Sequence, residues 1–148
     1  MHAVRGFLSL LARLMIVAIF LSAIGGKVMA YQKVVEDMAA QGVPSPKILL
    51  GGAIAFLILG SLSIVLGFWG RFGALLLLIF LAAATYYFHD FWKLPPDTDP
   101  AVQRVEVINC FKNVALMGTM LFLIANGTGP WSLDNRGGTA APTAADDE

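Results

Sequence analysis

Apolar residues are concentrated in four long stretches of the chain, and short polar segments separate them. Each stretch is about 20 residues long, which is the length an α-helix needs to cross the hydrocarbon core of a bilayer. The pattern therefore predicts an all-α membrane protein, an antiparallel bundle of four transmembrane helices. The predicted helices span about residues 7–27, 48–69, 72–92 and 104–126.

Composition agrees with a membrane location. Of the 148 residues, 57% are hydrophobic and only 14% are charged, whereas a soluble domain of this size needs more polar surface to cover its core. Four helices leave no room for a second domain, so we expect one membrane domain over residues 1–136. Residues 137–148 are small and polar, and we predict a disordered tail there.

The segment after the first stretch has its own helical pattern. Tyr31, Val34, Val35 and Met38 fall at positions i, i+3, i+4 and i+7, which places them on one face of a helix. Gly42 is a typical residue to end that helix, and the prolines that follow prevent its continuation. We expect a short amphipathic helix at the membrane surface or an extension of the first helix.

Small residues recur every seven positions in the second predicted helix, at Ala53, Gly60 and Gly67. A stripe of small residues lets a neighbouring helix approach closely, and membrane helices depend on such packing because lipid supplies no hydrophobic drive. The stripe therefore predicts a contact surface for another span.

The start and the end of the fourth helix are marked by capping residues. Asp99 followed by Pro100 is a favourable N-cap and first-turn pair, and the glycines and proline of residues 127–130 stop the helix. We expect the helix to begin at this pair and its first two turns to project beyond the bilayer.

Alternating helix directions assign the polar residues of the spans to two sides of the membrane. We call the side of the N-terminus face A and the opposite side face B. A candidate polar cluster at face B comprises Lys27, His89, Asp90, Lys112 and Asn113. A candidate structural lock at face A comprises Arg13, Arg71 and Asp134.

Ion pairs are expected within each group. At face B, Asp90 is predicted to pair with Lys27 or with Lys112, and at face A, Arg13 is predicted to pair with Asp134. Structural alternatives stand beside these hypotheses: each lysine can extend its ammonium to the interface, and His89 can make an ordinary interfacial hydrogen bond.

Several kinds of chemistry are excluded by the residue inventory. Cys110 is the only cysteine, so intramolecular disulfides, CxxC redox motifs and multi-cysteine metal sites cannot form. Ten basic and ten acidic residues with no basic stripe argue against nucleic acid as a partner. We find no self-contained catalytic motif and assign no catalytic or metal-binding residue, so the chain alone cannot carry electrons.

Four segments together resemble the DoxX family of small bacterial and archaeal membrane proteins. They are LARLMIVAIFLSAIGGK in the first helix, GVP at residues 42–44, LGFWGR at residues 66–71, and FKN at residues 111–113 followed by GTGPWSLD. The chain departs from the family at Leu57, near which many relatives have a glutamate, so a proton or cation role for that carboxylate is not expected here.

The resemblance implies a four-helix protein of the cytoplasmic (inner) membrane. Some relatives are linked to quinone-coupled sulfur oxidation, as a subunit of thiosulfate:quinone oxidoreductase, or to thiol-redox complexes with soluble partners. Others are similar to proteins needed for maturation of a periplasmic enzyme. The family therefore suggests a soluble or membrane redox partner protein besides the lipid bilayer.

Three functions are compatible with these observations. In the first, the chain is a membrane anchor or subunit of a redox complex, in which Arg13, Lys27 and His89 supply positive potential and hydrogen bonds to a quinone head group. In the second, it is a non-catalytic scaffold or assembly factor. In the third, it conducts protons or small solutes, which requires a homo-oligomer because four helices rarely enclose a pore.

The first helix is predicted to be retained in the mature protein. A cleavable signal peptide is the competing interpretation, since a basic start precedes the apolar stretch and Ala30 follows Val28 with cleavage-site spacing. Arg13 interrupts the apolar region and Lys27 would lie just before the cut, which favours retention. Intact-mass measurement of the purified protein is expected to give the full chain, and loss of about the first 30 residues would contradict the four-helix prediction.

Overall fold

The structure, a computed structural model, describes residues 2–135 and is helical throughout its regular elements. Four of the helices are long and apolar enough to cross a membrane, which confirms the predicted all-α fold with four candidate spans. The predicted disordered tail at 137–148 lies outside the described residues. The elements are α1 (His2–Met29), α2 (Tyr31–Ala40), α3 (Pro46–Leu66), α4 (Gly70–Phe88), a 3-10 turn (Phe91–Lys93) and α5 (Pro100–Asn126).

Helix α5 begins where its capping residues predict. The Asp99 side chain accepts a hydrogen bond from the backbone N–H of Ala101 at 2.7 Å, and Pro100 occupies the first turn. This carboxylate satisfies one of the amides that have no partner within the helix.

Two of the predicted helix ends are displaced. Helix α3 ends at Leu66, three residues before the predicted end, because Gly67 adopts a left-handed φ of 61° and its N–H bonds to the carbonyl of Ile64. Helix α4 ends at Phe88 rather than at residue 92, and the next residues form the 3-10 turn. Asp90 therefore lies outside α4.

Helix α2 is a separate amphipathic helix that packs across the face-B ends of α3 and α4. Its Met38 is buried together with Val43 and Leu50, while its polar residues Glu36 and Asp37 are exposed. This arrangement favours the amphipathic-helix alternative over a straight extension of α1, since the chain changes conformation at Ala30 (φ −111°, ψ 33°).

The four long helices share one apolar core, and they pack in chain order, α1 on α3, α3 on α4 and α4 on α5. Leu57, the position of the family departure, is completely buried in this core, which is an apolar environment unsuited to a carboxylate. The core residues are Val17, Phe20, Leu57, Ile64, Ala74, Leu77, Leu81, Met120 and Leu123.

Helices α3 and α4 touch through glycines on both sides. A Cβ atom placed on Gly60 would lie 2.6 Å from Leu77 Cγ and 2.9 Å from the carbonyl oxygen of Gly73. The predicted small-residue stripe is thus a packing surface at Gly60. Its other two members have different roles, since Gly67 ends α3 and Ala53 faces a cavity described below.

The close contact predicts that Gly60→Ala destabilises the bundle. The added methyl has to push apart two backbones, which costs about 1–3 kcal/mol in a well-packed interface. Thermal unfolding in detergent is the measurement. Gly51→Ala is the matched control, because a Cβ there meets no atom within 4 Å; equal melting temperatures for the two variants would contradict the contact.

Candidate functional site

Residues 127–135 fold back over the face-A ends of the helices. The N–H of Leu133 bonds to the carbonyl of Leu66 at 3.2 Å, and the N–H of Asp134 bonds to the carbonyl of Gly67 at 2.7 Å. The segment also covers α1, because the Trp131 ring lies directly against the backbone of Gly6. We call residues 127–135 the C-terminal clasp.

Arg13 joins α1 to both α3 and the clasp. Its side chain is buried, with 1% of its surface exposed. Nη1 donates to the carbonyl of Val65 at 3.0 Å, and Nη2 donates to the carbonyl of Trp131 at 2.8 Å. Carbonyls in the last turn of a helix have no partner within it, so the guanidinium satisfies acceptors that lipid cannot satisfy.

Asp134 also stabilises the face-A end of the bundle, through hydrogen bonds to the start of α4. Its Oδ1 accepts from the N–H of Trp69 at 2.9 Å, and its Oδ2 accepts from the N–H of Gly70 at 3.0 Å. These amides lie at the start of α4, where a carboxylate also benefits from the helix dipole. The predicted Arg13–Asp134 ion pair is therefore wrong: both residues belong to the face-A lock, but each bonds to backbone groups.

Arg71, the third predicted member of the lock, is exposed. Its Nη2 makes one long hydrogen bond of 3.4 Å, to the carbonyl of Ala125 at the end of α5. An exposed contact of this length contributes little to stability, so the lock depends on Arg13 and Asp134.

At face B, His89 pairs with Glu106, which the predicted cluster does not include. His89 Nδ1 and Glu106 Oε2 are 2.8 Å apart, and the contact ties the end of α4 to the first turns of α5. The contact uses Nδ1, so Nε2 is the ring nitrogen that remains for another hydrogen bond. The sequence places Glu106 at face B, so this partner was open to prediction from topology.

The predicted ion pairs of Asp90 with Lys27 or Lys112 are wrong. Asp90 Oδ2 lies 2.8 Å from Nζ of Lys93, because the 3-10 turn brings residues i and i+3 together. Lys112 is exposed, and its Nζ donates to Oδ1 of Asn109 at 3.0 Å. Lys112 thus lies apart from the other face-B cations, as expected for a lysine that reaches the interface.

Asn113 is buried between α4 and α5. Its Nδ2 donates to Thr85 Oγ1 at 3.0 Å, and Thr85 Oγ1 donates to the carbonyl of Leu81 at 2.8 Å. This chain of hydrogen bonds holds the two helices together, in the manner expected of an amide within a membrane bundle.

A cavity of about 480 Å³ lies between α2, α3 and α4, and it brings two members of the predicted cluster together. Lys27 and His89 line it, with Asp37 of α2. Lys27 Nζ lies 5.2 Å from the centre of the Phe80 ring. We call this space the face-B cavity. Its apolar lining comprises Val34, Met38, Val43, Leu49, Leu50, Ala53, Phe56, Ile79, Phe80, Ala83, Ala84, Tyr87 and Phe88.

The face-B cavity is the strongest candidate site in the described part of the chain. Small-molecule sites are typically concave, mostly apolar and supplied with a few convergent polar groups. Within residues 2–135, no cluster of three or more histidine, cysteine or acidic side chains is placed to hold a metal ion. The polar side chains that line the cavity, Lys27, His89 and Asp37, can supply hydrogen bonds and charge pairing.

Comparison with known proteins points to one family. A family model described as DoxX matches residues 8–90. Inner membrane protein YphA of Escherichia coli (strain K12) is similar, with 32% identity over 134 residues that cover 90% of this chain and 93% of that protein. Inner membrane protein YqjF of the same organism is 29% identical over 125 residues, or 84% of this chain and 88% of that protein. No solved structure matches.

The hydrogen bonds of Arg13 predict that Arg13→Lys destabilises the protein and loosens the clasp. An ammonium cannot reproduce the planar fork that reaches Val65 and Trp131 together, and hydrogen bonds to a charged group contribute about 1.5–3 kcal/mol each. We expect a loss of about 3 kcal/mol in the free energy of unfolding and faster proteolysis within residues 127–135.

Arg5→Lys is the matched control, since Arg5 is exposed on the same helix and its replacement should change the free energy of unfolding by no more than about 0.5 kcal/mol. Unchanged protection of the clasp in the Arg13→Lys protein would contradict the role of this residue.

Proposed function

The chain belongs to the DoxX family of multi-pass inner-membrane proteins, and we propose that it is a non-catalytic membrane subunit that holds an amphipathic ligand for a redox partner protein. The ligand has an apolar body and an oxygen-bearing head group, a class that includes quinones and lipophilic acids. The observation that carries this proposal is the face-B cavity, with Lys27, His89 and Asp37 among otherwise apolar walls.

The size and lining of the cavity support a ligand rather than a packing defect. Its volume of about 480 Å³ falls within the range of about 300–1,000 Å³ for small-molecule sites. Apolar side chains from three helices supply contacts for a hydrophobic body. Lys27 can donate to a carbonyl or anionic oxygen, and His89 can form a hydrogen bond to an oxygen of the head group through Nε2.

A quinone fits this donor set, and when bound it would supply the electron-accepting chemistry that the side chains lack. The residues of the chain would bind and orient it: Lys27 through its ammonium, Phe80 through ring contact, and His89 through Nε2, on a ring that the contact with Glu106 holds in place.

A partner protein is needed for electron transfer. Cys110 is the only cysteine, and it is buried in α5. The two histidines, His2 and His89, lie near opposite ends of the bundle, at faces A and B, so within one copy they cannot both ligate a single haem. The resemblance to relatives in quinone- and thiol-linked complexes supports a redox protein as that partner.

A scaffold or assembly factor is the second candidate, and the internal use of the other polar residues favours it. Arg13 and Asp134 bond to helix ends and to the clasp, while Asn113 bonds to Thr85 between two spans. The hydrogen bonds of these side chains stabilise helix packing, and none of the three residues indicates a catalytic role. This function requires a rigid bundle and makes no use of the cavity.

Filling the cavity distinguishes the two functions. We expect the wild-type protein, purified in mild detergent, to retain a redox protein and an extractable amphiphile, both identified by mass spectrometry. Ala53→Leu projects a larger side chain into the cavity, and we expect it to reduce amphiphile retention and quinone reduction by the complex at least about tenfold, the equivalent of about 1.4 kcal/mol.

The control is Ala55→Leu, on the same helix but exposed, which should leave both quantities unchanged. Unchanged activity and partner binding in the Ala53→Leu protein would favour the scaffold. Absence of any redox protein among the purified partners would contradict the redox role.

A further inference from the structure

We infer that the ligand of the face-B cavity is a lipophilic acid, a molecule whose anionic oxygen pairs with the Lys27 ammonium while its apolar body fills the cavity. This inference rests on the proposed ligand-binding function and adds the charge of the head group. The argument depends on the direction of the Lys27 side chain, on its surroundings, and on the walls of the cavity.

Lys27 lies in the last turn of α1, at the face-B end, and its side chain is directed into the bundle. The residue is half-buried, and its ammonium lies against the ring of Phe80, which belongs to the middle of α4 (Gly70–Phe88). A cation directed into an apolar cavity is costly unless a partner compensates it.

The acidic side chains nearby do not compensate Lys27. Glu106 is paired with His89 and Asp90 with Lys93, and within residues 2–135 no carboxylate makes a salt bridge to Lys27. Asp37 lines the same cavity, but it lies on the exposed side of α2, toward face B. The contact that Lys27 does make is with the face of Phe80, and a ring offers only part of the stabilisation of a full counter-charge.

The rest of the cavity specifies the ligand's body. Most of its walls are aliphatic and aromatic, and the wall from Phe80 to Phe88 extends for about 12 Å along α4. A small hydrated anion would leave these walls without contact, whereas a carboxylate, phenolate or phosphate attached to a hydrophobic body would satisfy both the ammonium and the walls. The same chemistry is offered by a free lipophilic acid and by an acidic bilayer lipid.

Binding of dodecanoate and dodecanol to the full-length protein tests the charge of the head group. The protein is placed in phosphatidylcholine nanodiscs, and radiolabelled ligands of equal chain length are compared. We expect dodecanoate to bind at least about tenfold more tightly than dodecanol. Equal affinities, or tighter binding of a neutral quinone analogue than of dodecanoate, would overturn the inference.

Variants of Lys27 locate the charge that is recognised. Lys27→Met should remove the preference for the acid, Lys27→Arg should keep it, and Lys112→Met should keep it as the matched control, because Lys112 is an exposed face-B lysine outside the cavity. Retention of the acid preference by the Lys27→Met protein would overturn the inference. The comparison of dodecanoate with dodecanol uses the wild-type protein, so its result does not depend on whether a variant folds.

The same assay separates this inference from the proposed function. If Ala53→Leu weakens both ligands and the wild type does not distinguish them, the cavity binds an amphiphile and only the charge assignment fails. If Ala53→Leu changes neither, the proposed ligand-binding function fails as well.

Competition by phosphatidylglycerol added to the nanodiscs identifies the source of the ligand. Displacement of dodecanoate indicates a bilayer lipid, and undiminished binding indicates a free lipophilic acid. Either result agrees with the inference.

Discussion

The hydrocarbon core of a bilayer offers no hydrogen bonds, so a polar group within the spans has to find its partner inside the protein. This constraint explains the face-A end of the bundle. The α3–α4 turn leaves carbonyls and amides without helical partners, and side chains from distant parts of the chain satisfy them. Arg13 reaches the carbonyl of Val65, and Asp134 accepts from the first amides of α4. The single proton of the Ser63 hydroxyl lies within reach of the carbonyls of Phe68 and Trp69.

The two ends of the molecule resolve the constraint differently. At face A, the clasp and the glycine contact between α3 and α4 bring backbones together. The polar side chains there form hydrogen bonds to the backbone of neighbouring segments. Toward face B, a cavity remains between the same two helices, and α2 covers it with its apolar face. Of the polar groups there, His89 and Glu106 join α4 to α5, Asp90 and Lys93 pair within the 3-10 turn, and Lys27 faces the cavity. The polar side chains thus mainly hold segments together at face A, whereas at face B one of them faces an apolar cavity.

Much of the fold could be predicted from the sequence because its determinants are local. The length of each apolar stretch specifies a span, the alternation of directions assigns residues to faces, and Asp99 with Pro100 marks the start of α5. The partners of the polar residues could not be predicted in the same way. Arg13 bonds to carbonyls, which every residue carries, so no pattern of side chains identifies them. The predicted ion pairs of Asp90 were wrong because α4 ends at Phe88. The aromatic residues continue past this point, so the sequence gives no sign of the helix end.

Because the clasp is near the C-terminal end of the chain, its contacts with α1 can form only late in synthesis. Arg13 lies in the first span, yet the hydrogen bond to Trp131 connects residues 118 positions apart, and the bond from Ser9 to Thr128 connects residues 119 apart. At translation rates of about 5–20 residues per second, α1 waits several seconds in the membrane before these acceptors emerge. During that interval the guanidinium has, of its partners in the finished fold, only the carbonyl of Ser9 in its own helix and, once α3 has been made, that of Val65, so the face-A end of the bundle closes last.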